Sequence, residues 1–314
     1  MSHTVLVSGA GGAAAISAIK SLRLGRFDGR IVATDADPLS PGFSLADAFQ
    51  VVPRADDPRF YPSLKALIER ERIDVILPTS GFDIYEYARY RRELQALGVV
   101  AAMSDLDAMA TCANKWEFYL KTDGAFPVPE TSKDLERWQK FPCFVKPTFG
   151  KGSRNAYRCN TREELLFYGA RVPGPIVQEY LPGEEYTVDV LSDLGGAPIV
   201  AVVRSRLEVK EGISSKGRVF RDPAMERLCL EMARHLALKG PTCMQLRRDP
   251  VGALKFLEVN PRLGGGSIFT TLAGVNIPKL VLDLIDGTRI APPLPTEITV
   301  LRYYEEVILD ARTR

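Results

Sequence analysis

Between residues 4 and 79, short apolar runs alternate with amphipathic ones, and few architectures accept that order. "TVLVS" (4–8), "RIVATD" (30–35) and "DVILPT" (74–79) read as strands, while "AAAISAIKSL" (13–22) and "PSLKALIERER" (62–72) carry helical periodicity. Strands separated by helices cannot close as hairpins; they pair in parallel through crossovers and form an α/β layer. The first crossover contains "SGAGGAAAI", a Gly9-x-Gly11-x-x-Ala14 turn, and Asp35 ends the second strand. That spacing fits a dinucleotide-binding turn, yet such glycines serve close helix–strand packing equally well, so both readings stay open. An NAD enzyme would need a dehydrogenase substrate domain downstream, and the remaining two thirds of the chain do not read as one.

The texture changes over 105–130, where "DLDAMATCANKWEFYLKTDGAFPVPET" reads as a helix closed by Gly124 and followed by Pro127 and Pro129. A boundary near Cys112 is expected there. Beyond it lie the strands "PCFVKP" (142–147), "PIVQEY" (175–180), "EYTVDVLS" (185–192) and "APIVAVVRSRLEV" (197–209), with a helix at 161–171. A helix over 223–238 precedes a hairpin, "TCMQLRRD" (242–249) and "ALKFLEVN" (253–260), turned by "PVG". Antiparallel hairpins with interspersed helices make this part α+β.

With 46% hydrophobic and 25% charged residues the chain can bury cores for two or three domains. A formal charge of +2 argues against a nucleic-acid or anionic-membrane partner. No apolar run approaches the ~20 residues of a membrane span, and the N-terminus has no basic region of an export signal. The five cysteines are scattered, without zinc or dithiol spacing, and read as reduced packing residues of a cytoplasmic protein.

Three stretches carry chemistry. "FVKPTFGKGSRNAY" joins Lys146 on a strand to a loop with Gly150, Lys151, Gly152 and Ser153, where backbone N–H groups can approach phosphate oxygens and lysine supplies countercharge. It is not a P-loop, because the lysine precedes the glycines. "IVQEYLPGEEYTVDV" is a strand–turn–strand connector able to lie along an adenine edge. "FLEVNPRLGGG" places Glu258 and Asn260 on one strand face, with Leu257 and Val259 turned to the core, and then runs through Arg262 into three glycines. Gln245, on the partner strand, is positioned to cross-face them, and carboxylate with amide oxygens suits Mg²⁺. Asp83 and Glu86 follow a strand's carboxyl end, where substrate contact and helix capping are both open.

In these motifs and their order the chain resembles the ATP-grasp enzymes, of the single-chain type similar to the carbamoyl-phosphate synthase large subunit. The resemblance implies an N-terminal Rossmann-like pre-ATP-grasp domain (1–112) that does not bind NAD, followed by a two-lobed ATP-grasp fold: an N-terminal lobe (113–181) with a glycine-rich lid and a C-terminal lobe (182–314) with the metal site. By it, Gln245, Glu258 and Asn260 hold one or two Mg²⁺, or Mn²⁺ in their place. Gln245 is neutral where many relatives have a carboxylate. Lys115 and Lys146 contact ATP phosphates under a lid of Gly150, Gly152 and Ser153. Glu179, Tyr180 and Leu181 lie along adenine, and Glu185 takes the ribose. Arg262, Lys146 and Arg204 are the catalytic candidates, with Arg204 opening "RSRLEVKEGISSKG", similar to an active-site loop of relatives. Asp83, Glu86, Gly264, Gly265 and Ser267 are the substrate candidates. The implied activity is ATP-dependent joining of a small-molecule carboxylate and an amine through an acyl-phosphate, by a chain whose assembly is a monomer or homodimer. The alternatives are a carbamoyl-phosphate-synthase-like or other acyl-phosphate-forming phosphotransferase, and a non-catalytic ATP-binding regulator.

Overall fold

The computed structural model describes residues 2–150, 154–210 and 212–308. The N-terminal strands β1 (Thr4–Ser8), β2 (Arg30–Asp35), β3 (Ala48–Val51), β4 (Val75–Leu77) and β5 (Val100–Ala101) form one parallel sheet of order β3-β2-β1-β4-β5. Helices α1 (Ala13–Leu24), α2 (Phe60–Glu71), α3 (Asp83–Arg89) and α4 (Arg91–Ala96) connect them. Both faces of β1 are covered, as an all-apolar strand requires: Val5 and Val7 belong to one core, Leu6 to the other. The stretch 105–130 holds two helices rather than one, α5 (Leu106–Ala113) and α6 (Lys115–Thr122). Asn114 breaks them, because its side chain accepts from the N–H groups of Trp116 and Glu117 and so starts a new helix.

A four-stranded sheet, β6 (Thr131–Ser132), β7 (Cys143–Pro147), β8 (Tyr157–Cys159) and β9 (Pro175–Glu179), is antiparallel in order β6-β9-β7-β8 and carries α7 (Arg162–Gly169), capped by Thr161. A six-stranded antiparallel sheet follows. Its strands are β10 (Glu185–Ser192), β11 (Pro198–Lys210), β12 (Ile213–Phe220), β13 (Gly240–Arg248), β14 (Leu254–Asn260) and β15 (Ile298–Leu301), ordered β14-β13-β10-β11-β12-β15. The segment that resembles a loop after Arg204 is the end of β11 and the start of β12, a long hairpin with register shifts near Glu208. The expected alternation along β14 also differs. Gln245 pairs with Glu258 but Leu246 with Phe256, so Leu257 is an extra residue, and Phe256 is the buried partner of Val259.

Helix α8 (Pro223–His235) covers one face of the large sheet through Met225, Cys229 and Met232 packed on Val188 and Val190. The opposite face shares a core with the N-terminal layer. Ile19 and Leu22 of α1 pack in one cluster with Val202 and Val219 of the sheet, with Phe269 of α9 (Ser267–Leu272) and with Val281 of α10 (Ile277–Ile285). The four-stranded sheet keeps a separate small core around Trp138, Val145 and Leu165. Among the described residues no helix is long and apolar enough to cross a membrane.

Candidate active site

Cross-strand rows of the large sheet assemble the polar face. One row runs Glu258 (β14), Gln245 (β13), Thr187 (β10), Arg204 (β11); the next runs Asn260, Cys243, Asp189, Val202. Side chains in register on adjacent strands share a face, so residues distant in sequence stand side by side. Asn260 donates from Nδ2 to Glu258 Oε1 at 2.9 Å. Among the described residues no cluster of three His, Cys, Asp or Glu side chains could hold a metal. One carboxylate flanked by two amides instead suits an Mg²⁺ whose shell is completed by nucleotide phosphates and water.

Two lysines face that carboxylate. Lys146, on β7, donates from Nζ to Gln178 Oε1 at 2.6 Å, and Lys115, at the start of α6, to the Gly150 carbonyl at 3.0 Å. Burial and the neighbouring Lys115 push the Lys146 ammonium down to about 8, while Glu258 pulls the other way. Lys115 is lowered too, by burial, and again Glu258 opposes. Two cations held together at such a cost, beside one carboxylate, form a place for several negative charges.

Arg204 is buried, 1% exposed, and grips Asp189 with two bonds, Nε to Oδ2 at 2.7 Å and Nη2 to Oδ1 at 2.9 Å; Thr270 Oγ1 also donates to Asp189. Asp189 keeps Arg204 charged against the cost of burial. Arg206 binds Glu185 and donates to the Gly212 carbonyl at 2.7 Å, so Glu185 is engaged by a guanidinium of its own sheet. The 264–266 loop lies over Arg204: a Cβ at Gly266 would stand 2.3 Å from Arg204 Nη1. Ser17 Oγ, at 3.0 Å, and Arg302 Nη2 both donate to the Gly265 carbonyl, while among the described residues nothing accepts from the N–H groups of Gly264, Gly265 or Gly266. The loop thereby leans on α1. Gly11 N–H donates to Asp35 Oδ2 at 2.7 Å and a Cβ at Gly9 would meet Ser80 Cβ at 3.0 Å, so the glycine turn and its acid are engaged with the chain itself, which favours the packing reading.

Two cavities meet here. One, of about 880 Å³, lies between the N-terminal layer and the large sheet and is bordered by Asp83, Glu86, Arg204, Arg206, Gly264 and Gly265. The other, of about 830 Å³, is bordered by Lys115, Gly150, Tyr85 and Glu258. Asn260 and Arg262 border both. Ser267 is 1% exposed and lines neither; among the described residues its Oγ has no partner. Glu179, Tyr180 and Leu181 sit apart, at the end of β9. The Glu179 carboxylate takes Lys255 Nζ at 2.6 and 2.8 Å, its N–H donates to the Glu130 carbonyl, Tyr180 contacts Phe144 and Arg158, and Leu181 is buried. Lys151, Gly152 and Ser153 lie outside the described residues.

The family described as "ATP-grasp in the biosynthetic pathway with Ter operon" matches residues 171–307, and the family "PylC-like, N-terminal domain" matches residues 5–102. The former match identifies residues 171–307 as ATP-grasp-like. The chain is 26% identical over 306 residues to the carbamoyl phosphate synthase large chain of Clostridium botulinum, covering 88% of its own length but 27% of that relative. It is 22% identical to the 3-methyl-D-ornithine–L-lysine ligase of Methanosarcina mazei over 82% of its length and 66% of that protein's. The fold matches the biotin carboxylase of Campylobacter jejuni with a TM-score of 0.73 at 17% identity, over 91% of this chain and 71% of that one. It also matches an L-amino acid ligase of Bacillus licheniformis with a TM-score of 0.65 at 17% identity, over 89% and 72%.

Several residues of this site escape a linear reading. Asp189 is a carboxylate inside the apolar run of a central strand, which was a usable signal, since a lone buried charge needs a partner. Arg206, Gln178 and Arg302 become relevant only through register and through the return of the chain end over the sheet.

Proposed function

We propose that this chain is an ATP-dependent carboxylate–amine ligase working through an acyl-phosphate. The observation that carries the reading is the approach of Lys115 and Lys146 to Glu258, beside a cavity that Lys115, Glu258 and Arg262 border. A carboxylate is a poor electrophile because its leaving group is oxide. Transfer of the γ-phosphate to a carboxylate oxygen breaks the bond to the β-phosphate and releases ADP. An amine nitrogen then attacks the acyl carbon, the C–N bond forms, inorganic phosphate leaves, and the amine loses a proton. Lys115 and Lys146 neutralise the phosphates, and Arg262 faces the transferring group from the cavity junction. Gln245, Glu258 and Asn260 would hold Mg²⁺, which when bound supplies further charge neutralisation. The N–H groups of Gly264 and Gly265, which have no acceptor among the described residues, hold the carboxylate. Glu179, Tyr180 and Leu181 take the adenine end, with Glu185 reaching the ribose once released from Arg206.

The test is incubation with Mg–ATP, hydroxylamine and a panel of carboxylates. ADP, phosphate and a hydroxamate are expected in equal amounts; AMP with pyrophosphate would overturn the mechanism.

A further inference from the structure

Every carbonyl along the glycine loop is engaged, and one of them is held from far away. Arg262 Nη1 donates to the Leu263 carbonyl at 2.8 Å, Ser267 N–H to that of Gly264 at 3.1 Å and Phe269 N–H to that of Gly266 at 2.9 Å. These donors are local. The Gly265 carbonyl instead accepts from two side chains distant in sequence, Ser17 Oγ of α1 at 3.0 Å and Arg302 Nη2. Gly265 and Gly266 border the larger cavity, whereas Ser17 and Arg302 border neither cavity. The carbonyl of the 265–266 peptide is therefore drawn to the back of the loop. In a trans peptide the N–H points opposite to the C=O, so the Gly266 N–H is turned to the cavity side. A peptide between two glycines has little orientation of its own, because neither neighbour has a Cβ to oppose a flip. Donors outside the loop must set it.

Arg302 reaches the loop from the chain end. It follows edge strand β15, and its N–H donates to the Ser215 carbonyl of β12 at 2.9 Å. Its guanidinium packs over Phe269, with Cζ 5.1 Å from the ring centroid, and Arg204 approaches the same ring at 6.0 Å. Arg204 is neutralised by Asp189. Arg302 has no carboxylate partner among the described residues, and burial, with the Arg204 charge, pulls its pKa below the usual arginine value. Fastening the chain end does not explain this cost, since β15 is already paired with β12. Resting on the ligase reading, we propose that Arg302 is a positioning residue: with Ser17 it holds the Gly265 carbonyl out of the cavity and keeps the Gly266 N–H, beside those of Gly264 and Gly265, turned to the oxygens of the substrate carboxylate. Without that hold the peptide can flip and present a carbonyl to an anion.

Glycine labelled at both carbonyl carbon and amide nitrogen gives a carbonyl-to-amide correlation only where a glycine follows a glycine, at Gly12, Gly196, Gly265 and Gly266. The full chain, loaded with Mg–ADP, is titrated with acetate. The Gly266 signal should move while that of Gly196, in a distant turn, stays as a reference. Arg302→Met keeps the packing on Phe269 without a donor; it should weaken the acetate response about fivefold or more and leave the Mg–ADP constant unchanged, which also reports folding. Arg302→Lys returns a donor and should recover most of the response. Should Arg302→Met fail to fold, Ser17→Ala, which removes the other donor, replaces it under the same criteria. In the hydroxamate assay, Arg302→Met should lower kcat/KM about tenfold for the carboxylate of highest yield and leave the KM for ATP within about twofold. A Gly266 signal that ignores acetate in the native protein, a native acetate response in Arg302→Met, or equal losses for ATP and carboxylate would each overturn the inference. Hydroxamate formed equally by native chain and variant would remove Arg302 from the reaction and leave the ligase standing. The expected signal changes with no hydroxamate from any carboxylate would do the reverse, leaving the hold on the loop and removing the ligase.

Discussion

Lys146 gives the sharpest handle on where the nucleotide sits. Its ammonium is pushed down to about 8 by burial and by Lys115, with Glu258 pulling upward. A cation with that value in the ligand-free protein is mostly charged near pH 7 and mostly neutral near pH 9. Nucleotide phosphates favour the charged form, so binding raises the value and draws in a proton once the solution is above about pH 8. Affinity is then flat below that point and falls by up to tenfold per pH unit above it. From pH 7 to pH 9 the expected loss for Mg–ADP is about tenfold, or about 1.4 kcal/mol. Lys115, moved in the same direction, steepens the fall. Calorimetric titration in two buffers of different ionisation heat measures both the affinity and the proton uptake. Lys146→Arg keeps a cation that does not titrate in this range, so its profile should flatten. An affinity that is constant or rises between pH 7 and pH 9, or the same slope in Lys146→Arg, would refute the placement of phosphates at Lys146.

Two substitutions probe the rest of the site. Glu258→Gln keeps the shape and removes the carboxylate of the proposed metal set; turnover should drop by about two orders of magnitude or more with the melting temperature preserved, and unchanged turnover at saturating Mg²⁺ would count against the metal assignment. Gly266→Ala drives a Cβ to 2.3 Å from a guanidinium that Asp189 holds fast, and should cost about 1–3 kcal/mol in denaturant unfolding. Gly265→Ala meets Ala13 Cβ at an ordinary 3.4 Å and should leave the midpoint nearly unchanged, so equal losses in both would argue against the packing described.

Three of the five strands of the parallel layer, β1, β2 and β4, were legible because they are short apolar runs separated by helices with an apolar stripe, and β10 was read to the residue. Elements whose pattern depends on neighbours were not. Strand β12, "ISSKGRVF", has only Ile213, Val219 and Phe220 as large apolar residues and no outward sign that β11 and β15 flank it. Leu257 breaks the two-residue period by bulging, which no count along the strand reveals. Lys146, Glu258, Asn260 and Arg262 could be picked out because a lysine beside glycines and a polar patch on an apolar strand are locally anomalous, whereas Lys115 was marked only by the family resemblance. The Arg204–Asp189 pair is anomalous only across two strands.

The core that joins α1 to the six-stranded sheet has a mechanical consequence. Ile19, Leu22, Val202, Val219 and Phe269 lie in one cluster at 0% exposure, so prising the N-terminal layer from the sheet would wet a continuous apolar interior. The two largest parts of the molecule thus make a single anvil, and the cavity between them is of fixed width. The four-stranded sheet keeps a core of its own, so tilting it would leave that larger interior closed. It bears Lys146 but neither Arg204 nor Glu86. Opening and closing would therefore meter the nucleotide's phosphates against a substrate pocket that stays set throughout the cycle.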